Sequence, residues 1–143
     1  MKKFGITFIL MLSLISCSSD DANSSLVSDY KGKWQLIEMS GSIVNSVTTG
    51  PEMDWQESYV FNTNRTFVKT RIKDNTTTTV SGTFSISKTS NVTHLELTYS
   101  KSSTLVGSCY GNLKEDLFIN SNNLLESTWQ NCDGPGLVYQ KKE

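Results

Sequence analysis

Apolar and polar side chains alternate with a period of two along most of this chain, and this alternation constrains its fold more than any other feature. In residues 77–87, Val80, Phe84 and Ile86 alternate with Ser and Thr, and residues 92–99 repeat the pattern. A period of two places successive side chains on opposite faces of a strand, whereas an amphipathic helix needs a period of 3.6. The 21 Ser, 16 Thr and 11 Asn residues also favour strands and turns. The sequence therefore predicts an all-β protein.

Turn clusters divide the alternating pattern into eight or nine short strands. The predicted strands span residues 33–39, 57–61, 66–72, 77–87, 92–99, 105–111, 116–120, 124–131 and 137–141. Strands that follow one another through short loops pair antiparallel. An open sheet would leave two exposed edges, so closure is favoured. We therefore expect an up-and-down antiparallel β-barrel of about eight strands, with a β-sandwich as the alternative.

The first 16 residues have the features of a lipoprotein signal peptide. Lys2 and Lys3 precede an apolar run that is too short to span a bilayer. The run ends in Leu14-Ile15-Ser16-Cys17, which resembles the lipobox of bacterial lipoproteins. This resemblance implies cleavage before Cys17 and attachment of a diacylglycerol to its thiol. The alternative is that the apolar run is a buried strand or helix and Cys17 an ordinary core thiol.

Residues 17–28 are expected to form a lipidated flexible tether, and residues 29–143 the barrel domain. The tether is rich in Ser and Asp and has too little apolar area to fold. Asp20-Asp21, shortly after Cys17, resembles the export signal of surface-exposed lipoproteins in Bacteroidota, although an ordinary solvated linker has a similar composition. We therefore expect an outer-membrane lipoprotein that faces either the periplasm or the cell surface.

The charge balance bears on the possible partners. The chain has 13 basic and 14 acidic side chains, a formal net charge of -1, and no run of five like charges. Such a chain lacks the basic surface that grips nucleic acid or an anionic membrane. We therefore expect no nucleic-acid partner, and we expect contact with the membrane through the lipid anchor.

Two cysteines remain once Cys17 carries the lipid. Cys109 and Cys132 form an even pair in an oxidising compartment, so we predict a disulfide between them. Chain-entropy models assign a loop of this length on the order of 3 kcal/mol of stabilisation. The alternatives are a metal pair or a reactive thiol. A metal site needs three or four ligands, and the single His94 lies far from both cysteines in sequence, so we expect neither metal nor cofactor.

Several short motifs resemble those of one family. Gly32-Lys33-Trp34 opens the first predicted strand, and Tyr139-Gln140-Lys141 closes the last. The hairpin from Tyr59 to Phe67 and the turn Cys132-Asp133-Gly134 lie between them. In this order they resemble the small lipocalin-like domain lipoproteins of Bacteroidota, from Tyr30 to the C-terminus. The resemblance implies a lipocalin-like barrel that binds a small apolar molecule. Because the chain is shorter than typical lipocalins, we expect a small cavity.

Large apolar side chains at strand positions are candidate walls of a ligand site. They are Trp34, Phe61, Phe67, Phe84, Leu97 and Tyr99. The alternative is that they are ordinary core, because a small domain needs its large apolar side chains to offset chain entropy. We therefore expect a lipid-anchored envelope protein that binds a small hydrophobic molecule. The alternative function is a ligand-free structural or interaction module that binds another envelope protein.

No motif in the sequence indicates enzyme chemistry. Strand alternation places His94 on the exterior, and no Gly-x-Ser-x-Gly elbow is present. Glu52, Asp54 and Glu57 form an acidic group before the second strand. Paired carboxylates can hydrolyse glycosidic bonds, but a solvated loop explains this group better. We therefore do not expect an enzyme.

The substitution Cys17→Ala tests the anchor. Without the thiol that would carry the lipid, we expect the protein to leave the membrane fraction or to keep its signal peptide. Detergent phase partitioning and intact mass measure these two outcomes. Ser18→Ala is the matched control and is expected to partition like the wild type. Unchanged membrane retention of a Cys17→Ala protein from which the signal peptide has been removed would contradict the lipoprotein assignment.

Overall fold

The structure, a computed structural model, describes residues 30–143 apart from residues 42, 44, 90 and 91. The predicted signal peptide, Cys17 and the tether lie outside the described residues. Two 3₁₀ helices occupy Gly50–Glu52 and Trp129–Cys132. The strands are β1 (Gly32–Ser40), β2 (Thr48–Thr49), β3 (Gln56–Phe61), β4 (Thr66–Lys73), β5 (Thr76–Thr89), β6 (Val92–Tyr99), β7 (Lys114–Ile119), β8 (Leu124–Ser127) and β9 (Gly136–Lys142).

Eight of these strands close into an antiparallel barrel. Consecutive strands pair from β3 to β9, and β1 pairs with both β3 and β9. The two-residue strand β2 pairs with the end of β1 and lies outside this closure. The predicted up-and-down barrel of about eight strands is therefore confirmed, and its connectivity fits a lipocalin-like barrel. Closure removes the long edges that an open sheet would expose.

Side-chain alternation distinguishes the interior of the barrel from its exterior. On β6, Leu95, Leu97 and Tyr99 are buried, whereas His94, Glu96 and Thr98, which alternate with them, are exposed. This is the phase that the sequence predicted. On β1 the register shifts between residues 36 and 38, so that inward positions lie three residues apart there instead of two.

Aromatic side chains fill the end of the barrel at which β1 begins, called the aromatic end below. The ring centroids of Phe61 and Phe84 lie 5.1 Å apart in an edge-to-face contact, and Phe67 lies 6.3 Å from Phe61. Tyr30 closes this end, with its ring 5.3 Å from Phe84 and its carbonyl oxygen accepting a 2.7 Å hydrogen bond from Trp34 Nε1. Such contacts stabilise the core by area burial and by ring geometry.

Three longer connections surround the opposite end, called the loop end. They are residues 41–55 between β1 and β3, residues 100–113 between β6 and β7, and residues 128–135 between β8 and β9. A disulfide between Cys109 and Cys132 joins the last two, with an S–S distance of 2.08 Å. The predicted disulfide is confirmed, and it attaches residues 100–113 to the rest of the loop end.

Two strand predictions at the loop end are wrong. Residues 105–111 form irregular structure, and the strand predicted for residues 124–131 ends at Ser127 before a 3₁₀ helix. In these segments Leu105 and Trp129 pack into or against the core at the barrel end, so their apolar pattern does not come from strand pairing. Leu105 is buried there, and a Cβ atom on Gly107 would lie 2.9 Å from Trp129 Cε3.

A glycine is required in the middle of the longest strand, β5. A Cβ atom on Gly82 would lie 2.1 Å from the carbonyl oxygen of Thr98 and 2.8 Å from Phe67 Cε1. A larger residue would therefore push β5 away from β6 and from the aromatic core. Glycine within a strand often marks such a close approach.

The substitution Phe67→Ala tests whether the aromatic end is a packed core. Phe67 is fully buried against Phe61 and Tyr99, so we expect the free energy of unfolding to fall by about 3–5 kcal/mol. Denaturant unfolding measures this loss. Val68→Ala, at the outward position beside it, should cost about 1 kcal/mol or less. Equal losses for the two variants would show that Phe67 does not stabilise the fold as core.

Candidate functional site

Charged side chains occupy the interior of the barrel near the loop end. Glu57 on β3, Lys69 on β4 and Glu115 on β7 are each at most 1% exposed. All three lie in the inward phase of their strands: Glu57 alternates with Tyr59, and Lys69 with Phe67. The strands therefore place two carboxylates and an ammonium group where a barrel of this size would ordinarily hold apolar side chains.

The ammonium group of Lys69 bridges the two carboxylates. Its Nζ atom lies 3.2 Å from Glu57 Oε1 and 3.2 Å from Glu115 Oε1. It also donates a 2.7 Å hydrogen bond to the carbonyl oxygen of Leu105, in the connection between β6 and β7. A buried ammonium is stable only when such partners replace its water shell. Lys69 thus connects β3 and β7 to a loop that covers the barrel.

Three tyrosines complete the hydrogen bonding of the carboxylates. Tyr59 donates to Glu115 Oε1 over 3.0 Å, and Tyr99 donates to Glu115 Oε2. Tyr139 donates to Glu57 Oε1 over 2.6 Å. Burial, reinforced by the neighbouring carboxylates, raises the pKa of all three hydroxyls above the ordinary tyrosine value. They therefore act as proton-bearing donors and add no charge to the site.

Arg71 lies at the outer edge of this network. Its Nε atom donates a 2.5 Å hydrogen bond to Glu57 Oε2. Its guanidinium carbon lies 4.2 Å from the centre of the Trp55 ring, which is a cation–π distance, and Lys73 Nζ lies 5.7 Å from the same centre. Among the described residues, Arg71 Nη2 has no hydrogen-bond partner although it is buried. Unpartnered buried donors are uncommon and require an explanation.

Glu57, Glu115, Lys69 and Arg71 form a balanced set of two negative and two positive groups, called the buried ionic network below. Desolvation is the largest effect on Glu115 and raises the pKa of its carboxyl above the ordinary value, whereas Lys69 acts in the opposite direction. Perturbed groups of this kind are frequent at functional sites, although structural ion pairs also produce them.

A cavity of about 380 Å³ lies beside this network at the loop end. It lies between the ends of β4 and β5 and the connection that contains Leu105. Its lining residues are Arg71, Lys73, Asp74, Thr76, Thr78, Thr104 and Leu105. Cavities of several hundred cubic ångströms are large enough for small molecules. The cavity and the network share Arg71, so together they form the candidate site.

The predicted ligand walls lie elsewhere. Trp34, Phe61, Phe67, Phe84, Leu97 and Tyr99 are all at most 5% exposed and belong to one apolar cluster. None of them lines the four described cavities. The structure therefore brings the six together as neighbours, and their role toward a ligand stays a prediction.

The acidic group Glu52, Asp54 and Glu57 contains both exposed and buried side chains. Glu52 and Asp54 are exposed, as expected of a solvated loop. The same expectation is wrong for Glu57, which is fully buried because it lies one residue inside β3, on the inward face. His94 is exposed on the barrel exterior, as its strand phase predicted.

Lys69, Arg71 and Glu115 are not among the site residues predicted from the sequence. A signal for them was present, because Lys69 and Arg71 continue the inward phase of Phe67, and Glu115 is in phase with the buried Leu117. A charged residue at an inward position is the kind of exception that marks a site.

Within residues 30–143, leaving out the four undescribed positions, no group of three or more His, Cys, Asp or Glu side chains is arranged to hold a metal ion. In the same part of the chain, no helix is long and apolar enough to cross a bilayer. Comparison of the chain with protein-family models, with curated proteins and with solved structures found no match.

The pH dependence of stability tests the state of Glu115. Because its pKa is raised in the folded protein, the folded state keeps a proton that the unfolded chain releases near the ordinary pKa of 4.5. This contribution is therefore fully present below the ordinary value and is lost as the pH rises toward the raised one. Glu115→Gln lacks this titration, so we expect the wild type to lose stability relative to this variant between about pH 4 and about pH 7.

Urea denaturation at both pH values measures this difference. The control is Thr98→Ser, at an exposed position on β6, which changes no ionisable group, so we expect its difference from the wild type to stay constant with pH. A difference between the wild type and Glu115→Gln that stays constant, or grows with pH in favour of the wild type, would show that the pKa of Glu115 is not raised.

Proposed function

We propose that this protein is a lipid-anchored lipoprotein of the outer membrane whose barrel binds a small molecule at its loop end. The observation that carries the ligand-binding part of this proposal is the position of Arg71, which belongs both to the buried ionic network and to the lining of a cavity of about 380 Å³. Binding sites are typically concave surfaces with a few convergent polar groups on a rigid scaffold. The small hydrophobic molecule implied by the family resemblance would place its apolar part against Leu105, and its polar part toward Arg71.

The energetics of the network support a binding role at this end. Replacing a buried ion pair by apolar residues of similar volume is often neutral or stabilising, so a buried network is weak evidence for a purely structural role. A network that holds Arg71 in one position has a use if Arg71 contacts a ligand. The stacking of Arg71 on Trp55 further restricts its guanidinium plane.

The barrel end at which β1 begins supports the lipid-anchor part of the proposal, because it lies opposite the cavity. β1 begins at the aromatic end, so a tether that precedes Tyr30 would attach there, opposite the cavity. A ligand could then reach the loop end without passing the anchor. This arrangement suits a carrier or receptor domain that stands off a membrane.

Native mass spectrometry of the full-length protein, purified from its own host in a nonionic detergent, tests the proposal. We expect one small molecule per chain, which solvent extraction would release for identification. Thr78→Trp should fill the cavity and remove this molecule, because Thr78 is one of the lining residues. Thr79→Trp is the matched control, because it adds the same ring at the next position on β5 and should retain the molecule.

A chain that carries no molecule, or one that both Trp variants retain, would overturn binding at this cavity. The lipid anchor is tested separately by Cys17→Ala. The two parts of the proposal can therefore fail independently.

The second candidate function is a ligand-free module that binds another envelope protein. It is favoured by an exterior groove of about 300 Å³ across β1, β3 and β4. This groove carries Val60 and Ile72, which are 37% and 48% exposed. Exposed apolar side chains that lie together mark protein contacts more often than single ones do. Absence of any bound molecule in the mass spectra would favour this function.

A further inference from the structure

Two cross-strand pairs build one wall of the loop-end cavity. Arg71 on β4 lies opposite Thr78 on β5, and Lys73 lies opposite Thr76. All four side chains line the cavity, so they share one face of the β4–β5 hairpin. The turn that joins the strands, Asp74-Asn75, has φ values of 50° and 60°, as in a tight two-residue hairpin. The hairpin therefore places two cations and two hydroxyls on one face beside the cavity.

Glu57 balances the charge of Arg71, but both cations keep donors that the described residues do not use. Arg71 uses its Nε edge on Glu57, while its Nη2 atom has no partner there. Lys73 is exposed and forms no ion pair with the described residues, although it lies close to the Trp55 ring. Both cations lie within 6 Å of that one ring, so they repel each other. Asp74 is the single acidic group among the lining residues, so the lining itself has two cations and one carboxylate, while Glu57 lies behind Arg71 in the barrel interior.

We infer that this cavity binds the carboxylate or phosphate group of a small anionic ligand. This inference rests on the proposed function and specifies the class of ligand. Arg71, through the part of its guanidinium that lines the cavity, and the ammonium of Lys73 would take the anion as charge-assisted donors. Thr76 and Thr78 supply hydroxyl donors from the same hairpin, and Thr104 supplies a third from the facing connection. Leu105 leaves one apolar contact for the body of the ligand.

The ligand class explains the position of Glu57. Its carboxylate holds one edge of Arg71 at 2.5 Å, and Tyr139 and Lys69 hold Glu57 in turn. Arg71 is thereby oriented before the ligand arrives, which reduces the entropy lost on binding. Arg71 itself is a poor position for a test, because its removal would leave Glu57 with one cation fewer inside the barrel.

Lys73→Gln is the informative variant, since Lys73 is exposed and its loss leaves the buried ionic network intact. The probes are phenyl phosphate, benzoate and inorganic phosphate, with benzyl alcohol as the neutral analogue. Isothermal titration calorimetry is carried out on the full-length protein in a nonionic detergent. We expect phenyl phosphate or benzoate to bind with one site per chain, and Lys73→Gln to weaken this binding about tenfold.

The matched control is Lys33→Gln, which removes an exposed cation from β1 at the aromatic end. It should change the affinity less than about twofold, because the charge is distant and screened by salt. Thr78→Val removes one hydroxyl donor with little change in volume, and it should also weaken binding of the anion. Circular dichroism verifies that each variant is folded.

A comparison of the affinities for the different probes identifies the source of the anion. Binding of inorganic phosphate as tightly as phenyl phosphate would support a free anion, and preference for the aromatic esters or acids would support an amphiphile such as a lipid headgroup. Equal binding of benzyl alcohol and phenyl phosphate, equal effects of Lys73→Gln and Lys33→Gln, or no binding of any probe would overturn the inference. A neutral molecule that is extracted from the protein and lost in Thr78→Trp would leave the proposed function standing and remove this inference alone.

Discussion

The ion pairs of Lys69 with Glu57 and Glu115 are the interaction on which the loop end depends. A single ammonium group holds β3, β4 and β7 together and also binds the carbonyl oxygen of Leu105 in the covering connection. Desolvation makes such a network costly, and its partners must be complete for the charges to remain inside. Three tyrosine hydroxyls provide this completion. The barrel interior is therefore divided, with aromatic packing at one end and ionic hydrogen bonding at the other.

This division gives the two ends of the barrel different properties. The aromatic end is closed by Tyr30, and its rings are held by non-directional burial that tolerates no added volume at Gly82. The loop end is held by directional contacts and by the disulfide between Cys109 and Cys132. Directional contacts can position a guanidinium group at a cavity, which apolar packing alone does not do. The proposed binding site and the anionic ligand inferred for it both follow from this property of the loop end.

The six predicted ligand walls differ in chemical kind from the residues of the loop-end site. The six predicted wall residues have large apolar side chains, and they form one buried cluster. Apart from Leu105, the residues beside the cavity are polar or charged, and two of them, Arg71 and Lys73, lie on the same strand face as Phe67. A ligand site that shares a strand with the core can have rigid walls without removing core side chains.

The sequence by itself indicated the eight strands of the barrel, their inward and outward faces, closure as the favoured form and the cysteine pair, but it also predicted a strand at residues 105–111 that does not form. Each of these depends on neighbours in the chain or on simple counting: His94 is outward because Leu95 is inward. Only the tertiary structure decided that residues 105–111 cover the barrel and that Lys69 meets Glu115, which lies 46 residues further along the chain. Alternation specifies the face on which a side chain lies, but a contact across the barrel depends on the register of every strand pair between the two residues.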